Sequence, residues 1–401
     1  MLSIFHPEVM PAVLDLRDGL MAFRVAQGGR FKLVVKASKE AILAAKLDLG
    51  FKVFVVPLPV IGERCVGLIA AFYDNPDEPL IISILLAQGT SSEALRSLLL
   101  SKDFDVHLFN ENNQEFLAYK STVVAPASTV DLLGKAFLFD SDSVEAFRKL
   151  PSAMDSLVDW FSARTSDADA LCVMFLSPLY ADNIAFMDLR PESHLHKGSN
   201  GISLNMLDRP EPGAYQEQEI IQLLRRSFSP GQIYANPRKP GDEKEIADVM
   251  VVTDSTILLI QAKDRRNVEE ALRASIAKKK KAALSSLQNA ANQVRGACRY
   301  VRRSDSLSIL VDGEVVGIPL EGRALKALVV VQELFSDGYS EYSPVLFELA
   351  DDIESPVVAF DFSQLNCFTA ARRGEVDFFA GMDDIYRFAR SKGVFPLVRF
   401  W

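Results

Sequence analysis

The sequence of 401 residues predicts an α/β protein with an α+β N-terminal part and, in the C-terminal half, a mixed sheet flanked by helices. Short apolar runs rich in β-branched residues and separated by polar turns predict β-hairpins. The run at 327–331 is apolar and the run at 356–362 is apolar except for Asp361, a pattern typical of strands buried on both faces. Stripes of apolar residues three or four positions apart predict the flanking helices. The composition, 49% hydrophobic and 24% charged, is that of a folded globular protein.

Residues 1–190 are predicted to form an α+β domain whose role the sequence does not reveal. Its predicted strands and hairpins are 31–35, 51–57, 66–86, 106–120, 170–176 and 184–189. Its predicted helices are 39–47, 91–100 and a helical stretch over 128–164 that breaks at Pro151. The segment 191–213 contains three prolines and three glycines, a composition typical of a linker. Residues 214–401 then form a second domain.

Composition and sequence patterns exclude some classes of protein. No run of 18 uncharged apolar residues occurs, so we expect no membrane-spanning helix. The first residues lack the basic stretch and cleavage site of a signal peptide, which favours a cytoplasmic protein. The four cysteines, Cys65, Cys172, Cys298 and Cys367, are far apart in the sequence, so we expect core thiols in a reducing compartment.

The hairpin predicted over 247–252 and 257–260 is the most informative stretch of the chain. Its four-residue polar turn sets a register in which Asp248 lies opposite Gln261 on one face of the sheet, with Lys263 two residues further along that face. Three polar side chains therefore converge where the apolar core ends. An aspartate beside a lysine at such an edge costs desolvation unless they meet each other or a ligand. The alternative is a hairpin whose polar end is exposed to solvent and has no functional role.

The helix predicted over 215–228 precedes this hairpin. Apolar residues recur at helical spacing along it, at Ile220, Leu223, Leu224 and Phe228. Glu217 lies three residues before Ile220 and is predicted on the buried stripe, whereas Glu219 is predicted to point away. An acid on the buried face of a helix can therefore reach the end of the hairpin.

An acid on the apolar face of a helix, Asp248 on one strand and Gln261-Ala262-Lys263 on the next together resemble the PD-(D/E)XK nuclease superfamily. The variant with glutamine is similar to the Mrr-type restriction endonucleases. The resemblance covers about residues 212–303, extended by the C-terminal strands, and implies a restriction-endonuclease-like sheet. It implies that Glu217, Asp248 and Gln261 hold a divalent metal, magnesium or manganese, and that Lys263 orients or activates the attacking water. These four are thus the expected catalytic residues.

The sequence departs from the family pattern at two positions. Ala247 stands where the family has its proline, and Gln261 replaces an acid, which should weaken the binding of a hard cation. Whether the strands after residue 303 complete this sheet or form a separate lobe is not fixed by the sequence. We favour completion, because 212–303 supplies too few strands to bury both faces of a sheet.

Positive charge is concentrated in the same part of the chain. Between Arg225 and Arg303 there are 17 lysines and arginines against 8 acids, a net charge of +9, and the total of −9 leaves −18 for the rest. The run of Lys278, Lys279, Lys280 and Lys281 at the start of a long helix, with Arg265 and Arg266, is expected to contact DNA phosphates. A solvated helix face is the alternative interpretation of the lysine run.

Two functions follow from these observations. The first is a metal-dependent nuclease that hydrolyses DNA phosphodiester bonds. The second is a non-catalytic protein that keeps the nuclease fold as a nucleic-acid or protein interaction module, with the N-terminal domain contacting a protein partner. A homodimer is compatible with either function, and the sequence does not decide between DNA and RNA.

Overall fold

The structure, a computed structural model, describes residues 1–25, 29–75, 78–140, 144–209, 213–303 and 305–398. The first half contains the following helices and strands: α1 (Leu2–Phe5), α2 (Met10–Asp15), β1 (Gly19–Arg24), β2 (Phe31–Lys36), α3 (Lys39–Leu47), β3 (Gly50–Pro57), β4 (Val66–Phe72), β5 (Leu80–Leu85), α4 (Thr90–Leu99), β6 (Asp103–Phe109), β7 (Glu115–Val124), α5 (Ala127–Gly134), α6 (Val144–Ala163), β8 (Leu171–Pro178) and β9 (Ala185–Asp188).

The remaining helices and strands are β10 (Ser203–Met206), α7 (Gly213–Leu224), β11 (Ile233–Ala235), β12 (Val249–Val252), β13 (Thr256–Lys263), α8 (Glu269–Leu272), α9 (Ile276–Val301), β14 (Ser306–Val311), β15 (Glu314–Pro319), β16 (Ala324–Val331), α10 (Tyr339–Asp352), β17 (Val357–Asp361), α11 (Phe362–Ala371) and α12 (Glu375–Lys392). The α/β class predicted from the sequence is confirmed.

Within the described residues, the N-terminal half forms one eight-stranded sheet in the order β1-β2-β6-β7-β8-β3-β4-β5. Its strands pair antiparallel except for β2 and β6, which are parallel. The predicted helix 39–47 is confirmed as α3, where the Ser38 hydroxyl caps the first turn by accepting from the Ala41 N–H at 3.3 Å. The predicted break at Pro151 is wrong, because α6 continues through this proline.

The C-terminal half forms a five-stranded mixed sheet in the order β11-β12-β13-β16-β17. The first three strands are antiparallel neighbours, and β16 and β17 then add in parallel to β13. Strands β16 and β17 therefore extend this sheet, as expected, whereas β14 and β15 pair with each other in a separate two-stranded sheet. Helices α7, α11 and α12 cover one face of the sheet, and α9 and α10 cover the other.

The segment 191–213, predicted to be a linker, packs against both halves of the chain where the structure describes it. Its residues 203–206 form β10, which pairs with β9, and Lys197 forms a bridge with Tyr234. Arg209 pairs through its backbone with Asn267, in the loop that follows β13. Gly198 and Gly201, which both have positive φ, lie between these contacts, and the described residues of the segment therefore contact both halves of the chain.

The structure bears on two features considered from the sequence, membrane-spanning helices and the state of the cysteines. In the part of the chain that the structure describes, none of the helices has the length and apolarity to cross a membrane. The four cysteines are free thiols, of which Cys65 and Cys298 are buried and Cys172 and Cys367 partly buried.

Candidate functional site

The hairpin of β12 and β13 has the predicted register. Val252 pairs with Ile257, and Val249 pairs with Ile260 at the last position of the ladder. The turn between them is the predicted one, closed by a hydrogen bond of 2.9 Å from the Thr253 N–H to the Thr256 carbonyl. The register set by this turn therefore places Asp248 and Gln261 at the open end of the hairpin.

Asp248 is fixed at this end by the backbone of both neighbouring strands. Its carboxylate accepts from the Ala262 N–H at 2.5 Å, and its carbonyl accepts from the Asn236 N–H at 2.9 Å. Asp248 and Gln261 are both buried, whereas Lys263 is partly exposed. One carboxylate oxygen of Asp248 stays free of the Ala262 contact and can meet a ligand.

Glu217 reaches the same place from α7. Its carboxylate accepts from the Asn236 side-chain amide at 2.8 Å. Asn236 follows β11 in the left-handed conformation, with φ 46°, which an asparagine tolerates better than most residues. Burial raises the pKa of Glu217, the Asn236 hydrogen bond and Lys263 lower it, and the negative charge of Asp248 raises it. Glu217, Asp248 and Lys263 are therefore close enough to influence one another.

Glu245 is a third acid of this cluster, and no sequence pattern predicted a role for it. It lies three residues before Asp248, in the excursion between β11 and β12, and is hydrogen-bonded to the Asp248 carboxylate. Glu245 is exposed, but partial loss of water around its carboxyl group, that hydrogen bond and the charges of Asp248 and Glu217 raise its pKa to about 8. In its protonated form Glu245 donates to the Asp248 carboxylate.

The prediction that Glu219 points away from the protein is wrong. Glu219 does not point into solvent but is buried, and both of its carboxylate oxygens accept from the Arg209 guanidinium, at 2.6 and 2.8 Å. Both faces of α7 are buried because residues 203–209 pack against the face opposite the sheet. Glu217 consequently belongs to the cluster with Asp248, and Glu219 binds Arg209 at the contact between the two halves.

The predicted DNA-contacting cations do not form one exposed surface. Lys278, Lys281 and Arg266 are exposed, and Arg265 is partly buried with its guanidinium donating to the Lys279 carbonyl at 3.2 Å. Lys280 pairs with Asp337 at 2.6 Å. Lys279 is buried and its ammonium group pairs with Asp74 of the N-terminal half. The prediction that Lys279 contacts phosphate is therefore wrong for this structure.

The residues at the hairpin end offer oxygen donors for a divalent cation. Among the described residues no three histidine, cysteine or acidic side chains are arranged as a ready metal-binding group. Magnesium, however, is usually held by one or two carboxylates together with water and substrate phosphate oxygens. Glu217 and Asp248 can supply the carboxylates and Gln261 a neutral carbonyl oxygen, and the crowding of acids that raises the pKa of Glu245 would be relieved by a cation.

Comparison with protein-family models and with curated proteins gives no significant match to this chain. The site is therefore interpreted from its own geometry.

Proposed function

We propose that this chain is a metal-dependent nuclease of the PD-(D/E)XK type and that the cluster of Glu217, Glu245, Asp248, Gln261 and Lys263 is its active site. The observation that carries the proposal is the meeting of Glu217 from a helix, Asp248 from one strand and Lys263 from the next at one end of a mixed sheet. These residue types in this arrangement are what the resemblance to restriction-endonuclease-like enzymes implies.

Four of these side chains have distinct tasks in the proposed mechanism. Asp248 and Glu217 would hold the cation, with Gln261 as a neutral third donor, and the cation would polarise the scissile phosphate. Lys263 orients the attacking water and offsets the charge that develops on the phosphate oxygens. The Ala262 N–H and the Asn236 amide hold the two carboxylates in place. Since only two of the donors are charged, we expect weak metal binding and cleavage at millimolar magnesium or with manganese.

The cations that reach solvent near the cluster supply the docking surface for nucleic acid. Arg266 follows Lys263 by three residues, and Lys278 and Lys281 lie on the first turns of α9. Exposed cations of this kind bind a phosphate backbone without reading its sequence.

The proposal is tested by plasmid nicking with the full chain in magnesium and in manganese. Lys263→Ala should lower the nicking rate by about 10²–10³-fold, because one preorganised group that acts on the transition state is removed. It should leave DNA affinity nearly unchanged, since the exposed cations that dock the backbone remain. Asp248→Ala should abolish metal-dependent nicking.

Lys244→Ala is the matched control, because Lys244 is an exposed lysine adjacent to Glu245 in sequence whose ammonium pairs with Asp242 at 3.3 Å. This variant should nick at the wild-type rate. If Lys263→Ala and Asp248→Ala nick as fast as the wild type, the activity belongs to a contaminant. The chain would then be a non-catalytic interaction module built on a nuclease fold.

A further inference from the structure

A cavity of about 550 Å³ lies between the two halves of the molecule. Its floor is formed by the residues that follow β13 and β16, two adjacent parallel strands, and by the first turns of α9. The N-terminal half closes it with Glu40 of α3, with Asp74, and with Leu80 at the start of β5. Open α/β sheets bind ligands at the carboxyl ends of their parallel strands, and the volume is that of a small-molecule site.

The charged groups of this cavity leave an excess of cations. Lys279 is neutralised by Asp74, and Asp264 is neutralised by Lys39 at 2.7 Å. Arg265, Arg266 and Lys278 also line the cavity, and in the described part of the chain none of them forms an ion pair. They outnumber the two remaining acids, Glu40 and Glu333.

Hydrogen-bonding and apolar groups complete the lining. The Glu40 carboxylate accepts from the Gln332 amide at 2.7 Å, which leaves its second oxygen for another donor. The carboxyl group of Glu333 has no hydrogen-bond partner among the described residues, and burial raises its pKa to about 8. Leu80, Leu272 and Ala274 supply apolar surface. A ligand that fills this space carries negative charge, polar hydrogen-bonding atoms and a flat or apolar part.

We propose that this cavity binds a nucleoside phosphate. Arg265, Arg266 and Lys278 hold the phosphates, Glu40 and Glu333 bind hydroxyl or amino groups of the nucleoside, and the apolar wall contacts its base. Inorganic phosphate alone would leave most of the volume and both carboxyl groups unused. The ligand comes either from solution as a free nucleotide or from the 5′-phosphorylated end of a nucleic-acid strand, since both present the same chemistry.

The experiment is calorimetric titration of the full chain in EDTA, so that the result does not depend on metal binding or cleavage and is separate from the nuclease proposal. The probes are adenosine triphosphate, inorganic tripolyphosphate, and a tetranucleotide with and without a 5′-phosphate. We expect saturable one-to-one binding of adenosine triphosphate, tighter than that of tripolyphosphate. Arg266→Ala combined with Lys278→Ala should weaken it by at least about tenfold, because two charge-assisted contacts are lost.

Arg299→Ala is the control, since Arg299 is an exposed cation near the other end of α9 and lies outside the cavity. It should leave the affinity unchanged, and all variants should keep the wild-type melting temperature. Glu333→Gln should weaken adenosine triphosphate but not tripolyphosphate. Preferential binding of the 5′-phosphorylated tetranucleotide would assign the site to a strand end, and preferential binding of adenosine triphosphate would assign it to a free nucleotide. Absence of binding, equal binding of tripolyphosphate, or equal loss in Arg299→Ala would overturn the proposal.

Discussion

The Glu245 carboxyl group gives the candidate active site a proton that can dissociate near neutral pH. An isolated glutamate is ionised at pH 7, but partial desolvation, the hydrogen bond to Asp248 and the neighbouring carboxylates bring the pKa of Glu245 to about 8. A cation bound beside Asp248 would reverse the balance of charge around Glu245 and favour its ionised form. Metal binding at this site should therefore displace a proton.

We predict that titration of the chain with manganese at pH 7 releases a fraction of a proton per ion, because protonated Glu245 ionises when the cation arrives. The release should fall as the pH rises through about 8, where Glu245 is already ionised in the free protein. Calorimetry in two buffers with different ionisation enthalpies measures the number of protons released per bound ion. In the Glu245→Gln variant the observed binding enthalpy should be the same in both buffers. If the difference in enthalpy between the buffers is unchanged, the proton comes from another group.

The turn of the β12–β13 hairpin sets the register on which the site depends. The Thr253 hydroxyl oxygen accepts from the N–H groups of Ser255 and Thr256, at 3.3 and 3.0 Å, and the Thr253 carbonyl accepts from Arg323 at 2.7 Å. Thr253 is buried, so these groups have little access to water. A slip of one residue here would turn Asp248 and Gln261 to the opposite face of the sheet.

We predict that Thr253→Val lowers the free energy of unfolding by about 1–3 kcal/mol, because valine keeps the shape but leaves two backbone donors without their acceptor. Urea denaturation followed by circular dichroism measures the loss. Asp254→Ala is the comparison, since Asp254 is the exposed neighbour in the same turn and should change stability by less than about 0.5 kcal/mol. Equal effects of the two substitutions would mean that the turn tolerates loss of the threonine contacts.

Sequence patterns predicted the parts of this fold that depend on residues close together in the sequence. The register of the hairpin follows from two apolar runs joined by a four-residue turn, and the buried strands β16 and β17 follow from nearly continuous apolar runs. Helix α10 was not predicted, and it contains Pro344. Glu245 was assigned no role because it lies in a loop without periodicity, where no pattern says which side chains face inward.

Contacts between distant parts of the chain were beyond prediction. Helical spacing alone places Glu219 opposite the sheet and hence in solvent, but residues 203–209 cover that face. The lysine run likewise does not indicate that Lys279 forms an ion pair with Asp74, about 200 positions away in the sequence. Such pairs depend on how the two halves pack, which a single sequence does not reveal.

At the scale of the whole molecule, the basic segment and the acidic remainder neutralise each other where they touch. Arg273 pairs with Asp48, Lys279 with Asp74 and Lys280 with Glu78 at 3.8 Å, and each of these acids belongs to the N-terminal half. Part of the +9 charge therefore joins the two halves and is not available to nucleic acid. The lysine run divides into exposed members and members that hold the molecule together.

We predict that Lys278→Ala combined with Lys281→Ala lowers the salt dependence of DNA binding by about two in the slope of log affinity against log salt, because two fewer counterions are released. Lys279→Ala should leave the slope unchanged and instead lower the free energy of unfolding by about 3–5 kcal/mol, because Asp74 is left buried without its partner. Fluorescence anisotropy across a salt series and urea denaturation measure the two effects. A change of slope in Lys279→Ala would show that this lysine reaches phosphate after all.

The buried Arg209 sets a limit on how this chain can be divided. A fragment starting at residue 214 would retain all five side chains of the candidate active site, yet Glu219 and Asp264 would be left on a newly bared surface without Arg209 and Lys39. Asp264 directly follows Lys263, and Glu219 lies two residues from Glu217, so the loss would fall next to the residues of the candidate active site. The C-terminal half is thus not a portable module, and grafting it onto another protein would have to carry these two cations along.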